Sequence, residues 1–325
     1  MKKILFVLVS LLILDGGVMG ASIPQGAPYW VKPGAFLEYK AQSYHPVGGG
    51  FYVDRNGTLI GISGPNVTVL FRITEVKKNN ARVHVSITVT TKNSTFPVIV
   101  TYPNNATVHP FWSNGSVINI TRTPNNITKV FLRSLIVGGD YLINLTNGWV
   151  YDFSGKAYGH TVLWNGFKEN ETFAIYKGKK VRIREVKVIN ATMNTYYSAF
   201  QKPNVIVHSE PVLVGNGRTF FDSFYNPGYD VCISFMMDPI PDFNAVGVYG
   251  FMWSDDMAAS INEKLMKGQQ GVPNVVWAPG VMLANASLGE PAETKASPPT
   301  GSGMKYIPLL ALAVVAGAVL MWYRR

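Results

Sequence analysis

The sequence predicts a mainly β, antiparallel, sandwich-like ectodomain of one or two units, with one short helix near residues 255–267 and a C-terminal transmembrane helix. Three observations favour this class: many short segments alternate apolar and polar residues, 31 glycines and 20 prolines separate them, and 12% of the residues are aromatic. The single cysteine excludes a disulfide framework. With 47% hydrophobic residues in 325, the chain can bury a core, which excludes disorder for most of it.

The first twenty residues have the layout of a secretory signal peptide. Lys2 and Lys3 precede an apolar run from Ile4 to Leu14, and small residues follow up to Gly20. We therefore expect cleavage before Ala21. An uncleaved anchor helix is the alternative, but the apolar run is short for a membrane span.

The clearest local pattern is a β-hairpin. Apolar residues alternate from Val67 to Ile73 and again from Val83 to Val89, and a polar turn at residues 77–80 separates the two runs. Further strands are predicted wherever short apolar or alternating runs lie between Gly, Asn and Pro residues. These are residues 36–44, 96–102, 116–121, 149–153, 158–164, 172–176, 181–189, 218–225 and 229–237.

One helix is predicted after Ser254, a residue suited to the N-cap. Asp255 and Asp256 follow in the electropositive first turn, and Gly268 can terminate the helix. The acidic pair therefore has a structural explanation, and it is not proposed for catalysis.

A stalk and an anchor are predicted at the C-terminus. Residues 286–303 are rich in Pro, Ser, Thr and Gly, which is typical of a flexible stalk. Within residues 304–325, the uncharged stretch 306–323 would span roughly 27 Å as a helix, close to the thickness of a bilayer core. Arg324 and Arg325 place the C-terminus on the cytoplasmic side and the ectodomain outside, as in a type I protein. A buried C-terminal helix is the alternative. The run from Ser297 to the end also resembles a Gram-positive cell-wall sorting signal, although Ser297 stands where that signal has leucine.

N-glycosylation sequons are far more frequent than the composition predicts. Random placement would give roughly three sequons for this content of Asn, Ser and Thr, so the excess indicates an exported, displayed surface. The alternative is that Asn and Thr simply populate turns and strands. The eleven sequon asparagines are Asn56, Asn66, Asn93, Asn105, Asn114, Asn119, Asn126, Asn144, Asn170, Asn190 and Asn285.

Charge divides the ectodomain into two segments. Residues 21–204 contain 20 Lys and Arg against 8 Asp and Glu, whereas residues 205–303 contain 4 against 10. We therefore distinguish a basic, sequon-rich β domain (21–204) from an acidic, aromatic-rich segment (205–285), which is either a second domain or a continuation of the first. The acidic segment carries one sequon, at its end, so it is the expected contact surface for a partner.

The best hint of enzymatic chemistry lies in this acidic segment. Aromatic residues surround Asp222, Asp230, Asp238 and Asp242, a composition typical of a sugar-binding cleft with paired carboxylates. The aromatic residues are Phe220, Phe221, Phe224, Tyr225, Tyr229, Phe243 and Trp253. Asp230, Asp238 and Asp242 are the candidate catalytic residues of an extracellular hydrolase. The stretch from Asp238 to Asp242 is equally natural as a turn in which aspartates accept hydrogen bonds from backbone N–H groups.

No cofactor or metal site is predicted. The five histidines are dispersed without zinc spacing, no histidine ligand follows Cys232, and no phosphate-binding glycine loop is found. Cys232 lies in a dense apolar strand, so we expect a buried, inert thiol. The basic stretch 177–184 is expected to be a solvated strand face rather than a nucleic-acid site, because the partner would have to lie outside the cell.

These features predict an N-glycosylated cell-surface protein, anchored in the lipid bilayer by residues 306–323, with a structural, adhesive or binding role in the cell envelope. Its expected partners are other envelope proteins or glycans. The layout resembles that of archaeal surface proteins. Two alternatives stay open, namely a membrane-anchored extracellular hydrolase acting on polysaccharide or peptide through aspartates of residues 222–256, and a solute-binding receptor.

Overall fold

The computed structural model describes residues 26–91, 96–103, 116–124, 127–214, 217–267 and 273–289. The predicted signal peptide, the anchor and nearly all of the stalk lie outside the described residues, as do the sequons at Asn93, Asn105, Asn114 and Asn126. Within the described ranges, no helix has both the length and the apolar character needed to cross a bilayer.

The architecture is mainly β, and its largest unit is a closed antiparallel barrel of twelve strands. In ring order the strands are β1 (Phe36–Gln42), β23 (Val281–Ala286), β20 (Val231–Phe235), β19 (Asp222–Asn226), β16 (Asn204–Ser209), β13 (Lys179–Ile189), β12 (Thr172–Tyr176), β11 (Ala157–His160), β10 (Trp149–Tyr151), β9 (Ser134–Asn144), β5 (Asn80–Thr90) and β4 (Asn66–Lys77).

The barrel corrects the expectation of a sandwich. The ring closes because β1 pairs with β4 on one side and with β23 on the other, where Leu37 lies opposite Ala286. Local alternation predicts individual strands but not their partners, and these two strands lie at opposite ends of the folded chain. The sequence therefore could not distinguish a closed sheet from two packed sheets.

A second sheet of six antiparallel strands continues from the end of the barrel where β1 ends and β4 begins. In order it comprises β21 (Val248–Trp253), β2 (Gly49–Arg55), β3 (Thr58–Gly64), β6 (Val98–Tyr102), β8 (Thr128–Leu132) and β7 (Val117–Arg122). The smaller strands are β14 (Thr192–Asn194), β15 (Ala199–Phe200) and β22 (Val275–Trp277) in a three-stranded sheet, and β17 (Val212–Val214) and β18 (Gly217–Thr219) in a hairpin.

Two helices accompany the strands. Helix α1 (Pro241–Asn244) is a single buried turn, and helix α2 (Asp256–Met266) confirms the helix predicted near residues 255–267. The N-cap differs from the prediction by one residue, since the carboxylate of Asp255, rather than Ser254, accepts a hydrogen bond from the Ala258 N–H at 2.9 Å.

The segment that contains α1 fills the barrel. Phe243 stacks on Phe71 of β4 and packs edge-on against Phe235 of β20, while Asp242 is hydrogen-bonded to Tyr141 of β9. Because these strands occupy separate positions around the ring, a segment that contacts all of them lies in the barrel interior. All residues from 231 to 244 are buried.

Most of the predicted strands are confirmed. The hairpin forms between β4 and β5 with Val67 opposite Val89, and each of the nine other predicted stretches contains a strand. The stretch 158–164 leaves the sheet after His160, and the stretch 218–225 is divided between β18 and β19. Cys232 is fully buried and unpaired, and burial raises the pKa of its thiol, in agreement with the prediction of an inert cysteine.

The two charge segments of the sequence contribute to one barrel, since β16, β19, β20 and β23 complete the ring that β1 and β4 begin. The acidic excess does not form a surface. Five of the sixteen described carboxylates are buried, whereas none of the 22 described lysines and arginines is. The buried ones are Asp222, Asp230, Asp238, Asp242 and Asp255.

Candidate functional site

Two of the candidate catalytic aspartates lie in the barrel interior. The carboxylate of Asp242 accepts hydrogen bonds from the Tyr141 hydroxyl at 2.7 Å, the Thr161 hydroxyl at 2.6 Å and the Val162 N–H at 2.8 Å. Burial raises its pKa, and these donors oppose the rise. Three donors converge on one carboxylate, so Asp242 joins helix α1 to the barrel wall.

Asp238 has a similar structural environment. Its Oδ1 accepts from the Ile240 N–H and its Oδ2 from the Gly250 N–H, both at 2.9 Å, and the Asn244 amide lies 3.3 Å from Oδ1. Burial raises the pKa of Asp238 to about 6. These contacts match the turn interpretation of residues 238–242. Neither Asp238 nor Asp242 is presented to solvent, as paired carboxylates acting on a polymer would need to be.

Asp222 lies in the barrel wall beside a histidine. The two residues face each other across β16 and β19, and Nδ1 of His208 contacts Oδ1 of Asp222. The other carboxylate oxygen is buried without a hydrogen-bond partner among the described residues. Burial raises the pKa of Asp222, while His208 opposes that rise.

Asp230 differs from the other three because it lies in a turn at one end of the barrel. This end, where β1 begins and β23 ends, is called the terminal end below. Asp230 follows β19 in the turn to β20 and has a left-handed φ of 48°, which is uncommon for a residue with a side chain. Its side chain is only 7% exposed, and burial raises its pKa to about 7.

Only one oxygen of Asp230 has a partner within the described part of the chain. Oδ1 accepts from the Asn165 N–H at 3.2 Å, while Oδ2 is buried and unpaired. Trp30 lies beside it, because its indole N–H donates to the carbonyl of Tyr229 at 3.1 Å. Trp164 packs edge-on against Trp30, with ring centroids 6.1 Å apart. A carboxylate with spare acceptor capacity is thus held among aromatic rings.

Tyrosines near Asp230 reach the surface. Tyr29 is 45% exposed and Tyr197 is 39% exposed, and Tyr229 packs against Phe200 beneath them. Burial raises the pKa of Tyr29. The charges of Tyr229 and Tyr197 raise it further, which they can do only because the three phenols are close together. We call Tyr29, Tyr197 and Tyr229 the tyrosine patch.

The sequence identified only part of this site. Asp230 and Tyr229 belonged to the predicted cleft. Of its other aromatic residues only Phe220 is exposed, and the rest are core residues: Phe221, Phe224, Tyr225, Phe243 and Trp253 are buried. Tyr29, Trp30, Trp164 and Tyr197 were missed, because they reach the site from loops that are distant in sequence. A tyrosine within a loop has no periodic signal that would mark it as part of a site.

The seven described sequon asparagines all have accessible side chains. Asn66 and Asn144 are partly buried, and the others, Asn56, Asn119, Asn170, Asn190 and Asn285, are exposed. Asn56 and Asn170 have left-handed φ angles, which places them at turns where a bulky modification can project into solvent.

Comparison of the chain with protein-family models, with curated proteins and with solved structures gives no match.

Proposed function

We propose that this protein is a single-pass, N-glycosylated cell-surface protein whose ectodomain has a structural, adhesive or binding role in the cell envelope. The observation that carries the proposal is that none of the seven described sequon asparagines is buried, although many other polar residues are. Of the ten other described asparagines, by contrast, four are buried, namely Asn165, Asn204, Asn226 and Asn244.

The path of the chain indicates how a C-terminal anchor would orient the barrel. Strand β23 ends at the terminal end of the barrel, the described chain continues to Gly289, and residues 290–305 separate Gly289 from the apolar stretch 306–323. A flexible segment of sixteen residues has a root-mean-square length of roughly 22 Å. The terminal end would therefore be held near the bilayer, with the six-stranded sheet directed away from it.

The tyrosine patch is the proposed binding surface, and glycans of the envelope are its proposed ligands. Exposed aromatic rings offer apolar faces that stack on sugar rings. The acidic contact surface expected from the sequence is not part of this proposal, because its aspartates lie in the core.

Mass spectrometry of the protein isolated from native membranes tests the proposal. We expect a chain that begins near Ala21, carries glycans at several sequons and retains residues 306–323. An unmodified chain that begins at Met1 and is recovered from the cytosol would overturn it.

A further inference from the structure

Strand β7 is an exposed edge of the six-stranded sheet. Among the described strands it pairs with β8 alone, and residues 118–122 are all exposed. Two of them are large apolar side chains, since Ile118 is 54% and Ile120 57% exposed. An open edge with apolar side chains is a template for another strand.

Asn119 lies between these two isoleucines. It begins the sequon Asn119-Ile120-Thr121, and its Oδ1 accepts a hydrogen bond from the Ile120 N–H at 2.7 Å. The asparagine side chain therefore occupies a backbone donor that a β ladder would use. A glycan on the same side chain would stand at the centre of the open edge.

The edge is symmetric about Asn119. Two copies of β7 that pair antiparallel around a two-fold axis at this residue would place Ile118 opposite Ile120 of the other copy and Asn119 opposite Asn119. Facing residues of an antiparallel pair lie on the same side of the sheet, so each Ile118 would lie beside Ile120 of the other copy. The pairing of β7 with β8 passes from Val117–Leu132 to Asn119–Phe131 and skips Ile118, so the new pairing requires Ile118 to join a ladder on the open side of the strand. Arg122 is the only charged residue of β7 and would face Ser116, so the pairing brings no like charges together.

We propose that β7 pairs with β7 of a second copy of this chain, and that a glycan at Asn119 prevents the pairing. The inhibition of pairing by the glycan, called the glycan gate below, rests on the proposed function, whereas the pairing itself does not. Six residues form a small interface, so the contact is weak in solution.

Cysteine trapping tests the pairing. The full chain is produced in detergent from a host that does not glycosylate, with Asn119→Cys as the test variant and Thr121→Cys as the matched control on the same exposed strand. In the proposed register the Cα atoms of residue 119 in the two copies lie about 4.5–5.5 Å apart, within disulfide range, whereas those of residue 121 lie about 13 Å apart. The native Cys232 is buried and is common to both variants.

We expect about tenfold more oxidised dimer from Asn119→Cys than from Thr121→Cys, because only the first pair meets disulfide geometry. Adding Ile118→Lys and Ile120→Lys, two substitutions at exposed positions, to the Asn119→Cys variant should abolish its excess of oxidised dimer. Equal trapping in the two cysteine variants, or trapping that survives the lysine substitutions, would overturn the pairing.

The gate is tested separately with chemical cross-linking of wild type and Asn119→Gln from the native host. We expect cross-linked dimer only from Asn119→Gln. A dimer of glycosylated wild type, or an unmodified Asn119 beside occupied sequons elsewhere, would overturn the gate while leaving the proposed glycoprotein function intact.

Discussion

The hydroxyl of Tyr141 on β9 donates a 2.7 Å hydrogen bond to Oδ1 of Asp242 on helix α1, and both residues are fully buried. This contact joins a barrel strand to the segment that fills the barrel, 101 residues further along the chain. No salt bridge among the described residues involves Asp242, so the groups that hydrogen-bond to its carboxyl are all neutral. The loss of any one of these donors would leave a buried acceptor unsatisfied and would lower the stability of the fold.

We therefore expect Tyr141→Phe to lower the free energy of unfolding by about 2 kcal/mol, in the range for a buried polar group that loses a hydrogen-bond partner. Denaturant titration of the purified protein measures the change. Tyr52→Phe is the matched control, because Tyr52 is largely exposed and should lose almost nothing. Equal loss in the two variants would show that the Tyr141 contact does not hold α1 in place.

Stability should fall as the pH rises from about 4 to 7, because burial raises the pKa of Asp230 to about 7 and that of Asp238 to about 6. Below about pH 3 each carboxyl is mostly protonated in both folded and unfolded chains. Between pH 4 and the folded pKa, the folded chain binds more protons than the unfolded chain, so raising the pH favours unfolding. For Asp230 the loss is at most about 4 kcal/mol.

Asp230→Asn mimics the protonated carboxyl, so it should melt at a higher temperature than wild type at pH 8 and at about the same temperature at pH 3. Thermal melts across this range measure the difference. Asp152→Asn is the opposite control. Burial by itself raises the pKa of Asp152, but hydrogen bonds from Ser154, Lys156 and Tyr158 lower it overall. Its replacement should destabilise the protein at neutral pH, and the same outcome for Asp230→Asn would contradict the prediction.

The start of helix α2 depends on Asp255. Its carboxylate accepts from the Ala258 N–H, the Gln42 N–H and the Tyr196 hydroxyl, all at 2.8–2.9 Å. Asp255→Ala should cost about 2 kcal/mol of stability, at the upper end for an N-cap, because two further donors lose their acceptor. Ser254→Ala should cost much less, since the Ser254 hydroxyl makes only a 3.3 Å bond to the Gly48 carbonyl. Chemical denaturation of both variants decides between these two residues as the cap.

The fold could be predicted from the sequence wherever a pattern is local. Alternation over residues 67–89 predicted the β4–β5 hairpin, because one face of these strands is buried and the other is exposed. Barrel closure through Leu37 and Ala286 could not be predicted, since no local pattern records which strands pair. The burial of Asp238 and Asp242 was equally hidden, because a turn rich in Asp and Pro is normally a surface feature.

The candidate site shows the same division. Composition pointed to Asp230 and Tyr229 because aspartates and aromatic residues cluster in that stretch of sequence. Trp30 and Tyr197 join them only through the arrangement of loops at the terminal end, and an isolated aromatic residue in a loop carries no signal of its partners.

The glycan occupancy of a sequon should depend on the hydrogen bonds that its asparagine side chain already makes in the fold. The amide of Asn66 donates to the Thr90 carbonyl at 3.3 Å and its Oδ1 accepts from the Ser43 N–H, whereas Asn56 is exposed at a hairpin turn. We expect full occupancy at Asn56 and reduced occupancy at Asn66, where a sugar must compete with the Thr90 hydrogen bond and with partial burial. Quantitative glycopeptide mass spectrometry measures both sites in one sample, and higher occupancy at Asn66 would contradict this expectation.

Binding of envelope glycans should depend on the tyrosine patch. Tyr29→Ala removes an exposed ring next to Tyr197 and Tyr229, and a stacking contact of about 1 kcal/mol corresponds to roughly fivefold weaker binding. Tyr52→Ala is the matched control, because Tyr52 is exposed to the same 45% but lies on β2 of the six-stranded sheet. Equilibrium binding to isolated envelope polysaccharide measures both variants. Weaker binding of Tyr29→Ala alone supports the patch, whereas an equal loss in both variants, or none in either, places the binding surface elsewhere on the molecule.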